Sequence, residues 1–146
     1  MKNVSNRLNR LSESATLAMA RMSRELQAKG IDVIALSLGE PDFNTPEFIK
    51  EAGKKAIDDN FSHYTPVPGL TELRSSISAK FKRDNNLEYK PEQIVTSTGA
   101  KQSLANVCLS LLNPGDEVLL PCPYWVSYAE IIKLAEGTPI EIPSSI

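Results

Sequence analysis

The chain has 146 residues, of which 41% are hydrophobic and 23% are charged, and its formal net charge is −2. This length suffices for one domain with a hydrophobic core. The charge balance gives no electrostatic reason to expect nucleic acid or an anionic membrane as a partner. The polar N-terminus lacks the apolar core of a signal peptide, and the uncharged run 102–115 is too short to span a bilayer. We therefore expect a cytoplasmic protein.

The cysteine, histidine and glycine residues exclude several classes of site. Two cysteines are too few for a disulfide scaffold, and together with one histidine they cannot build a zinc site. We expect Cys108 and Cys122 to be reduced, and we expect no metal. The sequence contains neither G-x-G-x-x-G nor a P-loop, so the usual nucleotide fingerprints are absent.

The first part of the chain predicts an arm, a helix and a strand. Residues 1–12 are polar and are expected to form an extended arm. Ser14 or Thr16 can cap the helix that follows, and Gly30 ends it. The predicted apolar stripe of this helix is Ala15, Met19, Met22 and Leu26. The aliphatic run 31–38 then predicts a strand.

Two rigid loops separate the next two helices. Prolines and a glycine keep residues 37–46 out of regular structure, and Thr45-Pro46-Glu47 predicts a helix that extends to about Asp58. Its expected inward residues are Ile49, Ala52 and Ala56. Residues 61–69 form a second loop that carries Tyr64, a residue type that is often only a packing residue in such a loop.

A helix is predicted from about Leu70 to Asn85 by apolar residues that share one face. The members of that face are Leu70, Leu73, Ile77 and Phe81. The charged residues on the same segment are expected to form its solvated face, and they are Arg74, Lys80, Lys82 and Arg83.

The central feature is a turn at Gly99, between the β-like run 93–95 and a helix that extends to Leu112. The helix is predicted by an apolar stripe at helical spacing, which consists of Leu104, Val107, Cys108 and Leu111. The first N–H groups of such a helix are unpaired, and its dipole adds positive charge, so a phosphate can bind there. The same pattern is also typical of a capped helix after a tight turn.

After this turn, strands and helices alternate. We predict a strand at Glu117–Leu120, a loop at 121–125, a helix at 126–136 and a strand at 138–143. Alternation of this kind predicts a largely parallel, buried sheet. Ligands of such sheets bind beyond the carboxyl ends of the strands. Trp125 follows one strand and Gly99 another, so both should lie at that edge, although a lone tryptophan is equally often a core or interface anchor.

Together these residues resemble the class I aminotransferases that use pyridoxal 5'-phosphate, and most closely the bacterial and archaeal-type aspartate aminotransferases. The resemblance covers the whole chain in order. The segments that carry it are Leu38–Phe43 with Thr45-Pro46, Tyr64–Pro66 with Gly69 and Glu72–Arg74, Gly99–Gln102, Pro114–Val118 and Pro123–Tyr128.

The resemblance implies a fold and a domain plan. The fold is the type I fold of pyridoxal-phosphate-dependent transferases, an α/β fold whose large domain has three α/β/α layers. Residues 1–12 would be an N-terminal arm, 13–45 the first part of a small domain, and 46–146 the first part of the cofactor-binding large domain. The large domain would be truncated after its first βαβαβ part, with intervening strands missing and sheet edges unpaired.

The resemblance also implies roles for individual residues. The backbone at Gly99, Ala100 and Lys101 would bind the phosphate of the cofactor, and Trp125 would stack on its pyridine ring. In a homodimer, Tyr64 would reach the phosphate of the neighbouring subunit. Substrate binding would involve Trp125 and a further set of residues. That set is Gly39 for the α-carboxylate, through its backbone, and Thr16 and Lys101 for the distal carboxylate of a dicarboxylic amino acid.

The implied reaction transfers the amino group of L-aspartate to 2-oxoglutarate, with amino acids and 2-oxo acids as substrates. Such a reaction needs a lysine that forms a Schiff base with the cofactor and then acts as general acid and base. Lys101 lies at the phosphate end, and the family's reactive lysine lies downstream of Ile146, so no catalytic residue is expected in this chain. We therefore expect an N-terminal piece of a longer protein, inactive by itself.

Two alternatives remain open at this stage. One is a different enzyme of the same fold, namely a prephenate or aromatic aminotransferase or a β-lyase that uses the same cofactor. The other is a non-enzymatic α/β module that binds anions. The first would share all the features above except side-chain selection.

Overall fold

The computed structural model describes residues 4–145, which form two compact units. One unit combines the residues up to Glu40 with those from Gly99 onward, and the other is Pro41–Thr98. The helices are α1 (Ala15–Ala28), α2 (Glu47–Asp58), α3 (Thr71–Asn85), α4 (Ala100–Leu111) and α5 (Ser127–Leu134), and the strands are β1 (Glu117–Pro121) and β2 (Thr138–Ile142). Single 3-10 turns occur at Leu8–Arg10 and Pro91–Gln93.

A βαβ unit organises the first compact unit. Strands β1 and β2 are parallel neighbours, with Leu119 paired to Ile140, and α5 connects them. Leu120, Ala129 and Ile132 form the buried cluster between helix and sheet. The half-buried side chains packed against it are Cys108, Leu112, Val118, Tyr124 and Tyr128. The alternation of strand and helix therefore predicted the parallel α/β arrangement correctly, but the sheet is not buried as predicted, since Leu119 is 63% exposed. Both cysteines are free thiols.

The N-terminal segment is folded onto α5 and is not the extended arm that its polarity predicts. Arg7 and Arg10 each form an ion pair with Glu136, at 3.8 Å in both cases. The backbone N–H of Ser12 donates to the Glu130 carboxylate at 2.9 Å. Polar residues make these contacts, so the sequence signal of a solvated arm was misleading. The part of the predicted arm at residues 1–3 lies outside the described residues.

Helix α1 begins directly after Ser14 and ends before Gly30, as predicted. Of its predicted apolar stripe, Leu26 is half-buried as expected, whereas Met19 and Met22 are exposed, by 56% and 62%. Ala20, which is outside the predicted stripe, is buried. Periodicity identifies an amphipathic helix, but the neighbouring elements decide which of its faces is covered.

Helices α2 and α3 have nearly the predicted bounds, but the predicted inward face is largely exposed on α2. On α2, Ile49 is half exposed and Phe48 is 75% exposed. On α3, Ile77 and Phe81 are half-buried as expected, and the Phe81 ring meets the Tyr89 ring edge-on at 6.1 Å.

Arg74 was predicted to lie on the solvated face of α3, but the structure places it partly inside. Its side chain is half-buried, and its guanidinium donates to the backbone carbonyl of Pro91 at 3.1 Å. Lys80 and Arg83 pair with Asp84, at 3.3 Å and 2.6 Å, and are exposed as expected. The 3-10 turn at Pro91–Gln93 packs against α3, which accounts for the partial burial of Arg74.

Two predicted strands do not form among the described residues. Residues 31–38 have no regular structure, and Ile34 and Leu36 are 84% and 90% exposed. The run 93–95 follows the 3-10 turn as extended backbone, with Ile94 at φ −113° and ψ 128°. Extended backbone becomes a strand only when a neighbour accepts its hydrogen bonds, and in the described part of the chain only β1 and β2 pair.

Gly69 closes the loop of the second unit against the segment that precedes Gly99. The backbone N–H and the hydroxyl of Thr96 both donate to the carbonyl of Pro68, at 3.0 Å and 3.3 Å. Gly69 has φ +101°, and a Cβ added to it would lie 2.1 Å from the Thr96 Oγ1. Only glycine therefore fits this position.

We predict that Gly69→Ala destabilises the protein more than Gly115→Ala. Gly115 has a similar φ of +98°, but no described atom lies within 4 Å of its added Cβ. Both substitutions lose about 1–2 kcal/mol from positive φ, and the clash with Thr96 adds about 1–3 kcal/mol at Gly69 only. Urea unfolding followed by circular dichroism measures both. Equal losses would contradict the close contact, and Thr96→Ala should partly rescue Gly69→Ala.

Candidate functional site

The N-terminus of α4 is the first component of the candidate site. Gly99 precedes the helix with φ 83° and ψ 162°, and its carbonyl accepts the N–H of Ser103 at 3.3 Å. The N–H groups of Ala100 and Lys101 come before this bond, so they have no acceptor within the helix. Among the described residues, none approaches within 4 Å of a Cβ added to Gly99. The backbone is therefore open to an anion at the positive end of the helix dipole.

Trp125 is the second component, and the structure places it beside this helix terminus. The Nζ atom of Lys101 lies 4.6 Å from the centroid of the Trp125 ring, in the geometry of a cation–π contact. Tyr128 meets the same indole edge-on, with ring centroids 5.5 Å apart at 86°. The indole is 44% exposed, so part of its surface remains open.

Lys101 and Trp125 lie together for a different reason from the predicted one, which was that Gly99 and Trp125 each follow a strand. Of the two, only Trp125 follows a strand, namely β1. The α4 terminus is instead oriented by the packing of α4 on α5, through Cys108 and Leu112, against the core cluster. Burial raises the pKa of the Cys108 thiol, as expected for a packing residue.

The remaining predicted site residues lie on separate elements. Thr16 is half-buried in the first turn of α1, and Gly39 is exposed in the irregular segment that follows, both in the same compact unit as Trp125. Tyr64 belongs to the other unit, where its side chain is fully exposed. The binding roles of these residues, and those of Gly99, Ala100, Lys101 and Trp125, stay predictions.

The sequence reasoning missed two tyrosines that flank Trp125. Tyr128 is three residues after Trp125, and its N–H donates to the Trp125 carbonyl at 2.9 Å as α5 begins. Tyr124 donates its hydroxyl to the carboxylate of Glu141 on β2. A spacing of three at a helix start could have indicated the first contact. The second joins residues far apart in sequence, so no local signal could reveal it.

These residues fit a phosphorylated, planar cofactor. The α4 terminus supplies backbone N–H donors and a partial positive charge, and Lys101 adds a full positive charge. The partly exposed indole supplies a flat apolar face for a ring. The described residues offer no cluster of three or more metal-ligating side chains. Within residues 4–145, no helix is both long and apolar enough to cross a bilayer.

Solved structures define the class of fold to which this chain belongs. An aspartate aminotransferase from Thermus thermophilus, determined with maleate, superposes with a TM-score of 0.93 at 41% identity, over 99% of this chain and 38% of that one. An aspartate aminotransferase from Rhizobium meliloti gives the same TM-score of 0.93 at 39% identity, over 98% of this chain and 36% of that one. The fold is thus the type I fold of pyridoxal-phosphate-dependent transferases.

The sequence itself gives the family. Residues 31–145 match the family model described as aminotransferase class I and II, and the chain belongs to this family. It is 53% identical over 140 residues to a probable aspartate/prephenate aminotransferase of Rickettsia bellii, which is 96% of this chain and 35% of that protein. It is 48% identical over 143 residues to the aspartate/prephenate aminotransferase of Cereibacter sphaeroides, covering 98% of this chain and 36% of that protein.

The chain therefore spans between 35% and 38% of the length of these relatives.

We predict a measurable coupling between Lys101 and Trp125. A cation over a partly exposed indole contributes about 0.5–1 kcal/mol, so Lys101→Met and Trp125→Leu should be non-additive by that amount in unfolding free energy. Lys54→Met, on α2 in the other compact unit, is the control and should be additive with Trp125→Leu. Additivity of the Lys101 and Trp125 changes would contradict the contact.

We also predict an unusual titration of Tyr124. The hydrogen bond to Glu141, with partial burial, raises the pKa of Tyr124 from its usual 10.0 to about 12. Because the folded pKa is the higher one, the interaction stabilises the fold below pH 10, and this contribution is lost as the pH rises towards 12. Phenolate absorbance of the protein and of Tyr124→Phe gives the difference titration. A tyrosine that titrates normally would contradict the contact.

Proposed function

We propose that a longer polypeptide containing this chain transfers the amino group of L-aspartate to 2-oxoglutarate with pyridoxal 5'-phosphate. The observation that carries the proposal is the position of Lys101 over the Trp125 ring at the open N-terminus of α4. Membership of the aminotransferase family supports it, as do the names of the relatives.

The residues of this chain bind and orient the cofactor. The N–H groups at Gly99, Ala100 and Lys101 bind its phosphate, and the indole of Trp125 stacks on its ring. When bound, pyridoxal phosphate supplies an electron sink for the negative charge that develops at the substrate Cα. The helix terminus and the indole contribute orientation, because a dianion held at one end and a ring held on one face cannot rotate.

The side chain of Lys101 has a role separate from its backbone. Its ammonium group lies 4.6 Å from the centroid of the indole on which we place the cofactor ring. From there it is available for the distal carboxylate of aspartate, together with Thr16, while the backbone of Gly39 meets the α-carboxylate. The Thermus thermophilus relative was determined with maleate, which is a four-carbon dicarboxylate like aspartate.

We further propose a homodimer in which Tyr64 donates its hydroxyl to the cofactor phosphate of the neighbouring subunit. Its complete exposure supports this role, because a tyrosine ring left wholly in water buries none of its apolar surface within the chain.

A second candidate function is transamination of prephenate by the same protein. The relatives from Rickettsia bellii and Cereibacter sphaeroides are named aspartate/prephenate aminotransferases, which favours a site that accepts both. Prephenate carries two carboxylates, so Lys101 could recognise its second carboxylate as it recognises that of aspartate.

The present chain by itself is expected to be inactive. Transamination needs a lysine that takes and returns the proton at Cα, positioned at the reacting end of the ring. Lys101, at the phosphate end, cannot do this. Purified chain supplied with cofactor, aspartate and 2-oxoglutarate should show no turnover.

The test is steady-state turnover of the full-length polypeptide with aspartate and an aromatic amino acid as donors, and 2-oxoglutarate and prephenate as acceptors. Lys101→Gln should raise KM for aspartate about tenfold or more, because it removes a charge-assisted hydrogen bond. KM for the aromatic donor should change little, and Lys54→Gln on α2 serves as the control. Aspartate as the poorest donor would overturn the proposal.

A further inference from the structure

The loop that carries Trp125 is fastened to the end of β2. The N–H of Cys122 donates to the carbonyl of Ile142 at 2.8 Å, which extends the strand pairing beyond β1. The hydroxyl of Ser144 donates to the carbonyl of Cys122. These bonds hold the beginning of the loop, three residues before the indole.

A side-chain contact fastens the loop again, immediately before Trp125. Tyr124 packs its ring against the core cluster of Leu120, Ala129 and Ile132, and its hydroxyl donates to Glu141. Glu141 lies on β2 directly opposite Leu120 of β1. The tyrosine ring is thus held at its apolar face by the core and at its polar tip by the sheet.

The indole is constrained from the other side by α5. The Trp125 carbonyl accepts the N–H of Tyr128, and the Tyr128 ring meets the indole edge-on. Trp125 thus lies between two tyrosines, of which Tyr124 is bonded to Glu141 and Tyr128 begins α5 with a bond to the Trp125 carbonyl. Glu141 lies on β2 and is not one of the residues assigned to the cofactor.

We propose that Glu141 and Tyr124 are positioning residues that fix the plane of the Trp125 indole for stacking on the cofactor ring. This inference rests on the proposed function. The carboxylate is suited to the task because an ionised acceptor gives a stronger hydrogen bond to a phenol than a neutral one does. Tyr124 is joined to Trp125 by one peptide bond, so loss of the Tyr124–Glu141 hydrogen bond frees the plane of the indole. It does so without removing any group that we assign to cofactor binding.

A purely structural role makes a different prediction. If the bond only stabilised the βαβ unit, its loss would weaken phosphate binding at the α4 terminus and ring binding at Trp125 together. A positioning role affects the ring alone, because α4 attaches to the core cluster through Cys108 and Leu112, whereas Glu141 lies on β2.

The experiment compares two ligands in the full-length protein. The dissociation rate of pyridoxal phosphate reports on phosphate and ring together, and the affinity of the cofactor-free protein for inorganic phosphate reports on the phosphate site without the ring. Tyr124→Phe and Glu141→Leu should each speed cofactor dissociation about three- to tenfold, the effect of one lost hydrogen bond. Phosphate affinity should change less than about twofold, below the effect of one such bond.

Two variants complete the design. Glu141→Gln keeps an acceptor and should restore most of the slow dissociation, while Tyr89→Phe removes a tyrosine hydroxyl in the other compact unit and should match the parent protein. Unfolding midpoints identify variants that have lost their fold, and Tyr124→Phe removes only one oxygen atom. Unchanged dissociation in folded Tyr124→Phe and Glu141→Leu, or an equal loss of phosphate affinity, overturns the inference. A parent protein that binds phosphate but not the cofactor overturns the proposed function instead.

Discussion

The packing of α5 across the parallel strands β1 and β2 fixes the two elements that meet at the candidate site. Leu120 on β1 and Ala129 and Ile132 on α5 form its buried centre. The strand delivers the loop of Trp125 to one end of this centre, and Cys108 and Leu112 attach α4 to its side. Burial of apolar surface thus determines where the open N-terminus of α4 lies relative to the Trp125 ring.

Within this frame, Lys101 combines two chemical functions that come from different parts of one residue. Its backbone N–H belongs to the first turn of α4, and its ammonium group lies over the Trp125 ring. Under the proposed function, the backbone N–H would bind the phosphate and the ammonium group the substrate carboxylate, so the two ligands would not compete for one group. The indole, which lies beside Lys101, would then link cofactor binding to substrate recognition.

Outside this frame, many apolar side chains are exposed, including Phe48 on α2 and Leu36 in the irregular segment. Two other exposed side chains, Phe43 and Tyr64, belong to segments that resemble the aminotransferases, so they carry sequence information although they are not buried within this chain. The segment around Gly69 is an exception. There, Thr96 lies so close to Gly69 that a Cβ added to the glycine would be 2.1 Å from the Thr96 Oγ1, so the space favours glycine.

The sequence by itself determined the bounds of the long helices, the β1–α5–β2 connection and the turn at Gly99, because caps, breakers and helical periodicity act over a few residues. It also determined the family, through motifs kept in order along the chain. Tertiary structure alone decided that residues 31–38 and 93–95 do not join the sheet of β1 and β2 and that Arg74 is partly buried. It also decided that Met19 is exposed and that Lys101 meets Trp125. Each of these depends on hydrogen-bond or packing partners distant in the chain, and local sequence carries no information about which partner is present.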